Sequence, residues 1–210
     1  MGQLDRTSPL STKFGYDRGG PVDRIYIENF LEENAMHIHG KVLEVADNNY
    51  TIKYGGQRVA RSEILHVNDT NPKATIIGDL TTLSHEFDGQ FNCIILTQTL
   101  HLIYDYKEAL KTCRRLLAPG GVLLVTVPGI TNIDHGEWGK YFYYSFTSHA
   151  LERIADEIFP GDQVSIESYG NVKTATAFLY GMGCKEISSS SYKINDPQYQ
   201  VIVSLKIVRN

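Results

Sequence analysis

The 210-residue chain predicts an α/β fold with a mainly parallel sheet and helices on both faces. Short apolar runs alternate with stretches of helical periodicity through the middle of the chain. The runs at 41–46, 92–96 and 122–127 are apolar enough for strands buried inside a parallel sheet. The last two runs, near 164–169 and 200–208, lack a long amphipathic helix between them, so an antiparallel final pair should close the sheet.

The elements follow in order. Residues 1–15 are polar and should be mobile without ligand. Gly19-Gly20-Pro21 then turns into a helix, with Pro21 suited to the first helical position. Val22, Ile25, Tyr26, Phe30 and Leu31 recur at helical spacing. The strand at 41–46 ends in the polar turn Asp47-Asn48-Asn49, and 58–65 and 74–77 are strands of lower contrast. After the isoleucine-rich strand 92–96 comes a helix over 106–117. Asp105 is placed to cap it, and Glu108 stands three residues later, at capping-box spacing. Ala109, Leu110, Cys113, Leu116 and Leu117 form its inner stripe, and Pro119-Gly120-Gly121 should stop it. The segment 129–146 is aromatic, with Trp138, Tyr141, Phe142, Tyr143, Tyr144 and Phe146. A helix over 148–159 turns Leu151, Ile154, Ala155 and Ile158 inward. A helical stretch near 174–181 and a polar loop near 188–191 precede the last strand. With no internal repeat, residues 1–210 read as one domain, with 1–35 as an N-terminal lid and helix.

Composition narrows the function. The net charge of −4 argues against general nucleic-acid binding, which leaves a basic footprint, without excluding a nucleotide-derived cofactor. Cys93, Cys113 and Cys184 show neither CxxC nor metal-ligand spacing, so free thiols, no metal and a reducing cytoplasm are expected. No apolar stretch is long enough to span a bilayer, and the N-terminus lacks the apolar core of a signal peptide.

In open α/β sheets, ligands sit beyond the carboxyl ends of the strands. After the first strand stand Glu44, Ala46, Asp47 and Asn48; after the second, Glu63; after the third, Asp79 in Gly78-Asp79-Leu80; after the fourth, Thr97 and Gln98. An ionised carboxylate only accepts hydrogen bonds, so Glu63 suits both hydroxyls of a ribose and Asp79 an adenine amino group. Acids near the first strand suit the ammonium of an amino-acid tail. Neither GxGxxG nor GxxxxGK[ST] is present, which disfavours a dinucleotide, and with it a dehydrogenase, and a triphosphate. A nucleoside carrying a positive centre fits better. For any one of these acids the alternative is a solvated turn residue; the case rests on four consecutive strand ends.

These pieces carry a resemblance. Val42-Leu43-Glu44-Val45-Ala46, Arg61-Ser62-Glu63 and Gly78-Asp79-Leu80 contribute, and the run from Phe91 to Asp105 contributes most. It continues into Arg114-Arg115-Leu116-Leu117-Ala118-Pro119-Gly120-Gly121-Val122-Leu123-Leu124. Over residues 40–160 the chain resembles class I S-adenosylmethionine-dependent methyltransferases (type 11-like). The resemblance implies a Rossmann-like methyltransferase fold of about seven strands, with S-adenosylmethionine as cofactor and S-adenosylhomocysteine as product. It implies a cofactor site drawn from Arg18, Glu44, Ala46, Asp47, Asn48, Glu63, Ile64, Gly78, Asp79, Leu80, Thr97 and Gln98.

The family's glycine-rich first turn is replaced by Ala46-Asp47-Asn48-Asn49-Tyr50-Thr51. This resembles a subgroup that rebuilds the turn with Asp and Asn, residues that tolerate a left-handed backbone. Tyr16-Asp17-Arg18-Gly19-Gly20-Pro21 is similar to the same subgroup, which is associated with bacterial glycan-modifying enzymes.

The implied reaction is attack by an acceptor atom on the sulfonium methyl. A hydroxyl acceptor also needs a base, for which His101 and His135 are the candidates. For each, the alternative is a helix-end or loop histidine bonded to backbone. Arg18 could grip the methionine carboxylate as a fork, or be a solvated arginine. The aromatic segment could stack on a sugar ring, or pack beneath a lid. His37, His39, His66, His85 and His149 read as surface or structural residues.

The leading expectation is O-methylation of a small or glycan-like acceptor, with other glycan-assembly enzymes as the expected partners. N- or C-methylation of a small molecule is the alternative within catalysis. A non-catalytic cofactor-binding module of a larger glycan-assembly protein is the alternative outside it. The sequence leaves the oligomeric state open.

Overall fold

A computed structural model describes residues 6–210. Helix α1 (Asp23–Glu33) precedes β1 (Gly40–Val45), β2 (Val59–His66), β3 (Ile76–Ile77) and β4 (Phe91–Thr97). Then come α2 (Tyr106–Leu116), β5 (Leu117–Pro128), α3 (Ser148–Ile158), β6 (Gln163–Tyr169), α4 (Val172–Leu179) and β7 (Ile202–Val208). The seven strands form one sheet in the order β3-β2-β1-β4-β5-β7-β6. β1 to β5 run parallel, and β7 lies antiparallel between β5 and β6. This is the Rossmann-like arrangement the sequence implied.

Side chains alternate across a strand, so each sheet face has its own core. On one face α2 and α3 cover Leu43, Ile94, Leu96, Leu123 and Val125. On the other α1 and α4 cover Val42, Cys93, Ile95, Val122 and Leu124. The stripe of α3 is the expected one, that of α2 is the expected one except that Leu117 belongs to β5, and Cys93 and Cys113 are buried free thiols.

Several local expectations are corrected. Helix α1 starts at Asp23, because Pro21 is held outside it in a bridge with Gly183. Asp105 occupies the N-cap of α2 but its side chain makes no capping bond, so the capping box is absent. A capping box does open α4, where Asn171 accepts from the backbone of Thr174 at 3.1 Å and Thr174 Oγ1 accepts from the backbone of Asn171 at 3.1 Å. That box starts the helix two residues before the periodicity suggested. Helix α2 stops at Leu116, three residues before Pro119, and the chain becomes extended at once to pair Leu117 with Phe91. Residues 71–74 turn about Asn71, whose Oδ1 accepts from the backbone of Lys73, which leaves only Ile76 and Ile77 for β3. The polar loop near 188–191 is a tight 3₁₀ turn over Ser189–Lys193.

Of the start expected to be mobile, residues 1–5 lie outside the described residues. The segment that follows them is tied down. Leu10 N donates to the carbonyl of Tyr180 at 2.7 Å, Ser11 Oγ bonds Asp17, and the Phe14 ring packs against Phe178 with centroids 6.0 Å apart. Among the described residues no helix is long and apolar enough to cross a membrane.

Candidate active site

Parallel pairing brings the carboxyl ends of β1 to β4 to one edge of the sheet, and the strand order reverses between β1 and β4. Beyond those two strands the backbone is unusual. Ala46 has φ +75° and Gln98 φ +47°, both in the left-handed region that non-glycine residues rarely adopt. Such conformations persist where the surroundings over-determine them, often at ligand sites. Here the Ala46 N–H donates to Leu65 O at 2.9 Å, its carbonyl accepts from Asn71 Nδ2 at 2.6 Å, and the Gln98 N–H donates to Thr126 O at 2.8 Å. The left-handed turn was expected on the Asp and Asn residues, Asp47, Asn48 or Asn49, and falls on Ala46 before them. A left-handed alanine costs about 1–2 kcal/mol, whereas glycine adds about 0.5–1 kcal/mol of chain entropy on folding. Ala46→Gly should therefore raise the melting midpoint by about 1–4 °C in calorimetry. An unchanged or lower midpoint would show that the strain at Ala46 does not exceed the entropy cost of glycine.

The loop after β1 is organised from below by Glu44. Its side chain is 2% exposed and accepts from the backbone of Tyr50 (3.2 Å) and Thr51 (2.7 Å) and from Thr51 Oγ1 (2.7 Å). Burial pushes its pKa up to about 7, against the pull of those donors. Asp47 is equally occupied, accepting from the backbone (3.0 Å) and side chain (2.8 Å) of Asn49. Asn48 donates to Ser62 Oγ at 3.1 Å.

Glu63 lies inside β2 rather than at its end, because the strand runs on to His66. It is 4% exposed, ion-paired to Arg61 and opposite Leu43, so it shares a sheet face with the α2–α3 core, whereas Glu44 belongs to the other face. Ile64 beside it is buried. After β3, the Gly78 N–H donates to His66 O, Asp79 is exposed and accepts from Thr81 N (2.8 Å) and Oγ1 (2.7 Å), and Leu80 is buried. Thr97 ends β4 opposite Thr126. Arg18 is clasped by Glu186 in a two-pronged ion pair, Nε to Oε2 at 2.9 Å.

A cavity of about 600 Å³ opens beside the end of β4. Its walls include Gln98 and His101 after β4, Phe14 and Tyr16 from the N-terminal segment, and Asp23 and Arg24 of α1. Asp134, His135, Trp138 and Phe142 from the loop after β5 complete it. Of the residues singled out from sequence, Gln98, His101 and His135 meet here; Arg18 and the residues of β1 to β3 are not on its walls. His101 sits on a 3₁₀ turn, Leu100–Leu102, and not at the opening of α2. It is 3% exposed, edge-on to Phe142 at 4.7 Å, and burial lowers its pKa to about 4. His135 is exposed.

Two buried side-chain polar atoms among the described residues have no hydrogen-bond partner, Asp23 Oδ1 and His101 Nδ1. Both residues border this cavity. Each unmet group costs about 1–3 kcal/mol, a cost a protein retains where a ligand repays it. Burial raises the Asp23 pKa to about 6, opposed by the neighbouring Arg24 guanidinium. Arg24 donates to the phenol oxygens of Tyr16 and Tyr50, which joins the N-terminal segment, α1 and the loop after β1. Asp23 and Arg24 escaped the sequence reading because helical spacing marks only the apolar stripe beside them. The partners that give them meaning lie in remote segments. Among the described residues no cluster of three or more His, Cys, Asp or Glu is arranged to hold a metal.

Solved structures with this architecture include a [4+2]-cyclase, SpnF, and S-adenosylmethionine-dependent methyltransferases. One from Archaeoglobus fulgidus superposes with TM-score 0.57 at 8% identity, covering 90% of this chain and 95% of that one. A possible histamine N-methyltransferase from Thermotoga maritima gives TM-score 0.57 at 14% identity, covering 90% and 92%. The N-methyltransferase NodS from Bradyrhizobium japonicum, in complex with S-adenosylhomocysteine, gives 0.54 at 12% identity, covering 90% and 88%. These likenesses define the fold. Residues 29–161, well over half of the chain, match the methyltransferase domain family, and the chain belongs to that family. It is a methyltransferase whose cofactor is S-adenosylmethionine. No curated protein matches its sequence.

Proposed function

We propose that the protein transfers the methyl group of S-adenosylmethionine to a hydroxyl of a small or glycan-like acceptor held in the cavity beside β4. The observation that carries this reading is the pair of orphaned atoms, Asp23 Oδ1 and His101 Nδ1, on the wall of one cavity at the switch point of the sheet. The donor set fits the cofactor's charged tail, since Asp23 and Asp134 oppose an ammonium and Lys13 and Arg24 a carboxylate. Glu63 is assigned to the ribose and Asp79 to the adenine amino group, with Ile64, Gly78 and Leu80 around the ring. Ala46, Asp47, Asn48 and Thr97 support the turn beneath.

The bound cofactor supplies a methyl group already activated by its positive sulfur. The protein has to hold the acceptor in line with it, and positioning of this kind supplies much of the barrier reduction. His101 is assigned as the base. A hydroxyl becomes strongly acidic as its oxygen gains the methyl carbon, so even an imidazole of low pKa takes the proton. The rings of Tyr16, Trp138 and Phe142 offer apolar walls to the faces of a sugar.

The test is methyl transfer from isotopically labelled S-adenosylmethionine to a panel of saccharides and small amines, with the methylated atom located by NMR. Label on a saccharide oxygen is the expected result. Label on nitrogen alone would move the assignment to N-methylation, a reading favoured by the names of two similar structures. Binding of S-adenosylhomocysteine with no transfer to any acceptor would leave a cofactor-binding module.

A further inference from the structure

We infer that the Asp23 carboxylate, and not the loop after β1, receives the α-ammonium of the cofactor's amino-acid tail. The inference rests on the S-adenosylmethionine reading and names the residue that grips one end of that ligand.

The acids near β1 are the natural candidates, and the fold has already used them. Glu44 is saturated by the two backbone donors and the hydroxyl of Tyr50 and Thr51. Both oxygens of Asp47 are taken by Asn49, and the carbonyl of Ala46 accepts from Asn71. The glycine-rich turn that would bring bare backbone to the ligand is missing. What remains is a carboxylate on helix α1 with one buried oxygen unpaired, bordering a cavity that also reaches Gln98 at the end of β4. A buried carboxylate oxygen without a hydrogen-bond partner is unfavourable even with the Arg24 guanidinium nearby, and an ammonium, with three donors and a positive charge, is a group that relieves it. The bond so formed is charge-assisted and among the stronger kinds.

Charged and titratable neighbours are consistent with a zwitterionic tail. Arg24 follows on the same helix, Lys13 and Tyr16 come from the N-terminal segment, His101 from the turn after β4, and Asp134 and His135 from the loop after β5. The two cations among them leave a place for the tail's carboxylate. Burial holds the Asp23 pKa near 6, as for a group awaiting a cation.

The test is calorimetric binding of two ligands to the full chain. S-adenosylhomocysteine carries the ammonium; 5′-methylthioadenosine keeps the adenosine and sulfur but lacks the amino-acid group. Asp23→Asn should weaken S-adenosylhomocysteine by roughly tenfold or more and leave methylthioadenosine within about twofold. Asp23→Glu, which keeps the charge, should recover most of the lost affinity and guards against a folding defect in the amide variant. Unchanged S-adenosylhomocysteine binding in Asp23→Asn overturns the inference, even if transfer to the acceptor is lost, because Asp23 then serves the acceptor. Equal weakening of both ligands also overturns it, by making Asp23 a structural residue. If neither ligand binds the wild-type chain, the cofactor reading itself fails, an outcome distinct from the others.

Discussion

Glu44→Ala should lower the melting midpoint by about 5–15 °C, the largest stability effect expected of any single site residue. The side chain meets three buried donors, and removing it leaves the N–H groups of Tyr50 and Thr51 and the Thr51 hydroxyl facing a void. Stranded donors of this kind cost about 1–3 kcal/mol each, and rotation of the hydroxyl recovers part, so a total of about 2–5 kcal/mol follows. For a chain of this size each kcal/mol moves the midpoint by about 2–4 °C.

The pH dependence has a definite sign. The folded pKa of Glu44, about 7, lies above the ordinary 4.5, so the folded state holds its proton more tightly than the unfolded chain. The stability this group contributes is full below about pH 4.5 and is lost as pH rises through about 7. The gap in midpoint between wild type and Glu44→Ala should therefore be wider at pH 5 than at pH 8. A gap that widened towards pH 8, or no gap at either pH, would remove Glu44 as the organiser of this loop.

The second large effect concerns turnover. His101→Ala should reduce kcat by about 10²–10⁴-fold if the imidazole takes the acceptor's proton, with little change in S-adenosylhomocysteine affinity. Because the pKa of His101 is held near 4, the wild-type rate should show no loss from this group until the pH falls towards 4. Unchanged turnover at saturating acceptor would exclude His101 as the base. A rate that instead bends near neutrality and survives the substitution would shift the role to another group on the wall, with His135 the next histidine.

The parts of the fold legible in the sequence are those whose signal is local and redundant. Strands β4 and β5 carry continuous apolar runs, 93–96 and 122–125, because they are buried on both faces, β1 carries the shorter apolar pair Val42 and Leu43, and α2 and α3 repeat an apolar residue at every turn against one core. β2 and β3 were harder because the first half of β2 is open to solvent and carries Arg61 and Ser62, only Glu63, Ile64 and Leu65 being buried, and because the turn at Asn71 leaves β3 two residues. At the site, Gln98, His101 and His135 were visible since each lies in the segment that follows a strong strand, β4 for the first two and β5 for the third. Glu44 was singled out for its charge, yet its partners are backbone N–H groups that side-chain pattern cannot display. Asp23 was not singled out at all. Its significance lies in an unmet hydrogen bond, which exists only once residues from the chain's start, middle and end are assembled.

The clasp of Arg18 on Glu186, with the bridge of Pro21 to Gly183 and the bond from Leu10 to Tyr180, fastens the chain's beginning to the segment just after α4. None of these contacts belongs to the pairing of the seven main strands. The flap they secure can detach as its own foldon, at a fraction of the free energy needed to melt the sheet. That flap supplies one wall of the cavity, so its unfastening would open the cavity on a timescale separate from that of the chemical step. Amide-hydrogen protection would then fade first around Phe14, long before it fades in the strands beneath.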